Sequence, residues 1–335
     1  MNKRIKSLLQ VLFSLALGVF LIWIIYKDLT EEDKAHIIES FSEANYWWIG
    51  ASSVVAIFSH IFRAYRWKYP LESLNIKIDL PNRFAAVMIG YLANLAFPRL
   101  GEVSRCAVLA RYQKKPFEVL FGTVLAERLV DMLLLIAFIF LAIILQFNIL
   151  RDFLDESFGS ILNNSSSLWI LGVTGLFGCA VVYVLWTYIQ RSEIPVFARV
   201  RKILRGLFEG FATLKTMDGQ LGFYFHTALI WVCYILMFML TFQAFPETSS
   251  VPFGGMLAAF VLGGISIVAV QGGLGAYPLA IMIILVLYGV PETRGYAFGW
   301  IVWSAQTAMI ILVGFLSILV MPLLNPSTQN EEASA

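Results

Sequence analysis

Charged side chains are scarce in this sequence: 24 Lys and Arg plus 22 Asp and Glu among 335 residues, or 14% of the chain. Soluble domains carry about a quarter. Mean hydropathy is +0.77, and several apolar runs are long enough to cross a hydrocarbon core of about 30 Å, so a soluble enzyme and a disordered chain are excluded. The runs are continuous over about 20 residues and do not alternate over about ten, which excludes a porin-like barrel. Cysteine is scarce too. Cys106, Cys179 and Cys233 lie far apart in apolar stretches with no CxxC, so they are expected to pack and not to form a disulfide framework or a metal site. A net charge of +2 without a long Lys/Arg block gives nucleic acid no footing. The sequence has no G-x-x-x-x-G-K-[ST], no H-E-x-x-H and no G-x-S-x-G, so no P-loop or common hydrolase chemistry is expected and no cofactor is implied.

What remains is a polytopic α-helical membrane protein. Asn2 to Lys6 holds three cations, and the apolar stretch Leu8 to Tyr26 that follows is longer than a signal-peptide core and lacks an A-x-A site. It is expected to be a retained helix. Further spans are expected at 46–62, 117–147, 168–189, 223–245 and 296–320. Lys27 to Asn45 has two cations against six carboxylates, and Asn148 to Ser167 one against three; both read as outside. Arg63 to Arg83 has five cations and Gln190 to Gln220 has six, so these and both termini are placed in the cytoplasm of a cell (inner) membrane.

Two apolar stretches resist simple counting. Phe84 to Pro98 starts inside, yet Arg99 to Pro116 carries five cations and should not be outside. A re-entrant hairpin over 84–111, turning at Pro98 to Gly101, resolves the conflict; such backbone must be buried in protein or line a wet cavity. Phe253 to Val290 has no charge in 38 residues, and as one straight helix would run about 57 Å at 1.5 Å per residue. It is expected to break at Gln271-Gly-Gly-Leu-Gly275, with Pro278 opening the next helix. The expected fold is about six full spans plus two re-entrant hairpins, at 84–111 and 253–290, related as an inverted repeat; eight plain spans are the alternative. Residues 1–320 form one transmembrane unit with a cytoplasmic basic loop at 190–220, and 321–335 form a polar tail.

Three constellations carry chemistry. Arg99, Glu102 and Arg105 are spaced three apart and share a helix face, placing Glu102 between two guanidinium groups. Near the start of a half-helix this suits an anion such as phosphate, although interfacial snorkelling gives the same pattern. Glu127, Arg128 and Asp131 lie within a span, where charges are costly and face the bundle interior. They serve either as an ion network tied to the hairpin arginines or as a substrate or proton site. Arg63, Arg66 and Trp67 end the second span, where cations with Trp are ordinary interface anchors, and Arg63 is the one placed to turn inward. His60 and His226 read as packing residues. Gln271 is the one strongly polar side chain among the glycines of the second hairpin, and Gln306 is its counterpart in the last span. The cations and apolar residues of Arg191 to Lys215 suit either an amphipathic helix on anionic lipid or a solvated loop.

At these residues the sequence resembles the transmembrane region of lysylphosphatidylglycerol synthases and the flippase-like proteins related to it. The matching features are Arg63-x-x-Arg66-Trp67, Asn94 through Pro98-Arg99-x-Gly101-Glu102-x-x-Arg105, Glu127-Arg128-x-x-Asp131 and Gln271-Gly-Gly-Leu-Gly275, in an order that covers roughly Leu8 to Val320. The resemblance implies a multi-span protein that handles a lipid or lipid-linked headgroup, in some members aminoacylated phosphatidylglycerol. Only a fifteen-residue polar tail follows Val320, so the aminoacyl-transferase domain of the full synthases is expected to be missing. The chain is therefore expected to be no enzyme by itself, with a separate partner enzyme making its lipid. A headgroup site is expected from Arg63, Asn94, Arg99, Glu102, Arg105, Glu127, Arg128 and Asp131, faced by Gln271, Gly272, Gly273 and Gly275. Its partner would be an anionic membrane lipid. A coupled carrier of a small anion and a polyprenyl-linked sugar transferase are the alternatives, the latter drawing on Asp28, Glu31, Glu32 and Asp33.

Overall fold

A computed structural model describes residues 19–23, 26–27, 29–97, 100–147 and 217–326. Most of the expected span at 8–26, all of that at 168–189, the basic stretch 191–215, Arg99 and the tail beyond 326 lie outside the described residues. Among those described, every regular element is helical. In chain order they are α1 (Glu31–Glu43), α2 (Tyr46–Arg66), α3 (Lys68–Glu72), α4 (Leu80–Ala96), α5 (Leu100–Gln113), α6 (Phe117–Leu145), α7 (Gln220–Thr241), α8 (Pro246–Ser249), α9 (Phe253–Ala269), α10 (Ala276–Val286) and α11 (Glu292–Leu324). Short 3₁₀ turns follow α7 at Phe242–Ala244 and join the α9–α10 pair at Gln271–Gly273.

Among the described residues, three helices are long and apolar enough to cross a bilayer: α6, α7 with its 3₁₀ extension, and α11. Helix α2 has 21 residues but carries Ser52, Ser59, His60, Arg63 and Arg66 on its buried side. That polar stripe lowers its hydropathy while its outer face stays apolar.

Two apolar clusters mark the ends of the molecule. At one end Ala44, Ile49, Phe242, Phe245, Val290 and Phe298 pack together. At the other, Trp67, Leu71, Ala86, Cys106, Leu120 and Met321 do so. Helices α2, α6, α7 and α11 run between the two. The other long elements do not.

Helices α4 and α5 form a hairpin whose base lies at the Trp67 end. Asn325, just past α11, donates to Asn82 Oδ1 at the start of α4 (2.7 Å) and accepts from Gln113 Nε2 at the end of α5 (2.6 Å). One side chain thus holds both legs. The legs are about 25 and 21 Å long at 1.5 Å per residue, less than a hydrocarbon thickness. They touch through glycine: a Cβ on Gly90 would lie 2.8 Å from the Gly101 carbonyl oxygen. The turn is held by the Gly101 N–H, which donates to Asn94 Oδ1 at 2.6 Å.

Helices α9 and α10 form a second hairpin of opposite sense, with its base in the Phe245 cluster through Met256 and Leu285. Gly272, Gly273 and Gly275 at its turn have φ of 62, 74 and 70°, a region open to glycine and costly for L side chains. The break therefore falls where the sequence placed it.

The segment 27–45, expected as an acidic outer loop, is largely helix. Thr30 and Asp33 form a capping box: the Asp33 N–H donates to Thr30 Oγ1 at 3.1 Å, and the Thr30 N–H donates to Asp33 at 2.9 Å. These bonds hold the Asp33 carboxyl below its usual range. Arg294, at the start of α11, ties α1 to that end by pairing with Glu43 at 2.6 Å and Glu247 at 3.4 Å.

Candidate functional site

The charges of the first half converge on α6. Asp131 accepts from Arg63 Nη1 at 2.8 Å and from Arg66 Nη1 and Nη2 at 2.6 and 3.0 Å. One turn earlier Glu127 accepts from Arg105 Nη2 at 2.6 Å and lies 3.8 Å from Arg66 Nε. Arg105 also sits over the Trp67 ring, 4.4 Å from its centroid, and the Trp67 indole donates to Thr123 Oγ1. All seven of these residues are buried. The spacing of three to four residues on α2 (Arg63, Arg66) and on α6 (Glu127, Asp131) is what points both rows at each other.

This arrangement corrects two expectations. Arg63, Arg66 and Trp67 are not interface anchors; they turn inward because buried Asp131 and Glu127 require neutralising partners. Glu102 is not the partner of Arg105. Arg105 is taken by Glu127, and Glu102 instead pairs with Arg128 Nε at 3.1 Å. The role of Arg105 as a direct headgroup ligand does not fit this geometry, since its guanidinium is closed between Glu127 and Trp67.

Arg128 and Glu102 differ from the rest in being partly exposed, and they open onto a cavity of about 570 Å³. The tips of the two hairpins meet at this cavity. Asn94 and Leu95 come from the first and Gln271 and Gly272 from the second, and Gln271 Nε2 donates to the Asn94 carbonyl at 2.8 Å. The Trp303 indole donates to the Gly272 carbonyl at 2.7 Å, fixing the second tip against α11. His60 on α2 and Gln306 and Thr307 on α11 complete a neutral polar wall, and Phe260, Gly264, Ile267 and Val268 of α9 give an apolar one. Val268 is 77% exposed, so this side of the cavity faces outward.

Of the residues expected from the sequence, Asn94, Glu102, Arg128, Gln271 and Gly272 line the cavity. Gly273 and Gly275 shape the turn. Arg63, Arg105, Glu127 and Asp131 lie behind the Glu102–Arg128 pair, and Arg99 is outside the described residues. Tyr91 and Tyr234 are lining residues that the sequence reading did not single out; Arg63 Nη2 donates to the Tyr234 hydroxyl at 2.8 Å, which lies 3.3 Å from that of Tyr91. The signal for Tyr91 was its place three residues before Asn94, on the same face of α4.

Four arginines (63, 66, 105 and 128) against three carboxylates (102, 127 and 131) leave the network at +1. Asp131 is already saturated by Arg63 and Arg66, and Arg128 Nη1 stands 3.8 Å from it. The surplus positive charge lies with Arg63 and Arg66, which share Asp131, while Arg128, paired with Glu102, is the guanidinium that reaches the cavity.

The family model described as the lysylphosphatidylglycerol synthase TM region matches residues 10–314, nearly the whole chain. Neither a curated protein nor a solved structure matches it. The chain is a multi-pass α-helical membrane protein belonging to the lysylphosphatidylglycerol synthase transmembrane-region family.

Proposed function

We propose that this protein carries an anionic phospholipid or lipid-linked headgroup across the bilayer, as a translocase and not as an enzyme. The observation that carries the proposal is the cavity where the hairpin tips meet, with one partly exposed ion pair at its edge and outward-facing apolar side chains on α9. In this reading α4–α5 and α9–α10 are re-entrant hairpins entering from opposite faces, the sequence and geometric hallmark of inverted-repeat transporters with a site near the midplane. Lys68, Lys77, Lys114 and Lys115 belong to the Trp67 end, which is assigned to the cytoplasm, and the acidic α1 belongs to the outer face.

The headgroup phosphate sits at Arg128, whose guanidinium is held in place by Glu102 and supported from behind by the buried pairs. Acyl or isoprenoid chains remain in lipid, passing beside Ile267 and Val268. A separate enzyme supplies the lipid.

The test is reconstitution into liposomes with a fluorescent phosphatidylglycerol, reading its transfer between leaflets by quenching from outside. Arg128→Gln is expected to slow transfer about tenfold or more, the scale of one lost hydrogen bond to a charged group. Equal rates for wild type and variant would remove Arg128 from the site. Uptake of a water-soluble anion without lipid movement would favour the carrier of a small anion instead.

A further inference from the structure

Besides the Glu102–Arg128 pair, the cavity is lined by polar groups that no protein partner satisfies. His60 is buried to 5% exposure, lines the cavity and has no hydrogen-bond partner at Nδ1. Gln306 and Thr307, also lining, have no hydrogen-bond partner among the described residues. They are brought to the same region by the small cluster of Ala56 (α2), Met88 (α4) and Met309 (α11), each one turn or less from a polar residue of the wall. The Tyr91 ring lies 4.4 Å from that of His60 and adds an aromatic face.

For His60 the unmade bond matters most, because a buried polar group without a partner carries the full desolvation penalty, whereas Gln306 and Thr307 are part-buried and face the cavity. Burial without a partner is tolerated where a ligand or water makes the bond. The chemistry of this wall is specific in what it leaves out. It offers an imidazole, an amide, a hydroxyl and an aromatic ring, and no charge of its own. An ammonium or a second phosphate would find no counter-ion there. A hydroxyl group, which both donates and accepts, matches each of these side chains.

We infer that His60, Gln306 and Thr307 form a second subsite, one that binds the uncharged polyhydroxyl part of a headgroup, glycerol or sugar, whose phosphate lies at Arg128. This rests on the reading of the cavity as the substrate site and deepens it: the ligand is a phosphate-linked polyol and not a bare phosphate. The two halves of the ligand are recognised by different elements, charge by α5 and α6, hydroxyls by α2 and α11.

The experiment is direct binding to the purified full chain in detergent, followed by native mass spectrometry, and it needs no translocation. The probes are phosphatidylglycerol, a glycosyl phosphate on a polyprenol, phosphatidic acid, phosphatidylethanolamine and free glycerol phosphate. Wild type is expected to prefer a polyol-bearing lipid over phosphatidic acid by about tenfold, the scale of one to two net hydrogen bonds. Gln306→Leu combined with Thr307→Val is expected to lose that preference while phosphatidic acid binds as before. His60→Phe, which keeps an aromatic ring and removes the nitrogens, is the second variant, and thermal unfolding checks that both fold. The first two probes separate glycerol from sugar, and free glycerol phosphate separates a lipid from a soluble source of the same chemistry. A wild type that binds phosphatidic acid or phosphatidylethanolamine as tightly as the polyol lipids overturns the subsite, and so does a preference that survives both variants. Failure of lipid movement in liposomes with this preference intact would instead refute translocation alone.

Discussion

Replacing Asp131 by Asn removes one negative charge and almost no volume from the interior. In the structure that carboxylate neutralises two buried arginines through three hydrogen bonds of 2.6 to 3.0 Å. Breaking a buried pair from one side costs about 3–5 kcal/mol, since the remaining charge is left uncompensated. The lower figure applies here. Arg63 keeps the Tyr234 hydroxyl at 2.8 Å, and Arg66 keeps Thr227 at 3.3 Å and Glu127 at 3.8 Å. At about 2 °C per kcal/mol for a chain of this size, Asp131→Asn should lower the unfolding midpoint by about 6 °C. Tryptophan fluorescence in detergent reads it. The companion variant Arg66→Met with Asp131→Leu replaces both charges by apolar groups, and it should recover at least half of the loss, as matched removal of buried pairs does. A midpoint for Asp131→Asn within about 1 °C of wild type would falsify the claim that this carboxylate holds the network together.

Three further outcomes are expected. Gly264 lines the cavity and a Cβ there would meet nothing within 4 Å, so Gly264→Leu should leave the unfolding midpoint near wild type while abolishing lipid transfer; normal transfer would show that the cavity is not the path. Gly101→Ala should fail differently, because its Cβ would fall 2.5 Å from Asn94 Nδ2 and against the Gly90 carbonyl, whereas Gly122→Ala, with open space around it, should be neutral or stabilising by up to about 1 kcal/mol; equal stability of the two variants would contradict the hairpin contact. Arg294→Ala should release α1, seen as faster amide exchange across 31–43, with an effect on stability that shrinks as salt rises because Glu43 and Glu247 are more than a third exposed; unchanged exchange would mean that α1 is held by its apolar contacts alone.

The hairpins were legible because their evidence is local. A 38-residue apolar stretch cannot remain straight, and Gln271 to Gly275 is the place within it where backbone freedom is concentrated. The first hairpin was read one turn short. Arg83 interrupts the apolar run, yet lies inside α4 and is itself buried, so a boundary drawn at charge missed the start at Leu80. What the sequence could not give was pairing across distance. Arg-x-x-Arg-Trp at a helix end has the same spacing whether it meets lipid headgroups or buried carboxylates 65 residues away. Arg294 passed unnoticed for the same reason, its partners being on α1 and α8. The capping box at Thr30 and Asp33, by contrast, was present in the sequence as T-x-x-D and would have turned an acidic loop into a helix.

The meeting of the two hairpin tips has a mechanical consequence. Around α6, displacing a leg means separating buried opposite charges. Between the tips, the bonds described are neutral ones, from Gln271 to the Asn94 carbonyl at 2.8 Å and, longer at 3.4 Å, to the carbonyl of Leu95. Both carbonyls belong to the last turn of α4, where water is an equal substitute, and each exchange is worth about 1 kcal/mol or less. Among the described residues, buried charge thus ties the α6 side together, while the tips meet through neutral groups. If one hairpin parts from the other during a transport cycle, it parts there, with the ion-paired half moving as one piece and the polar cavity opening along the line where the tips now touch.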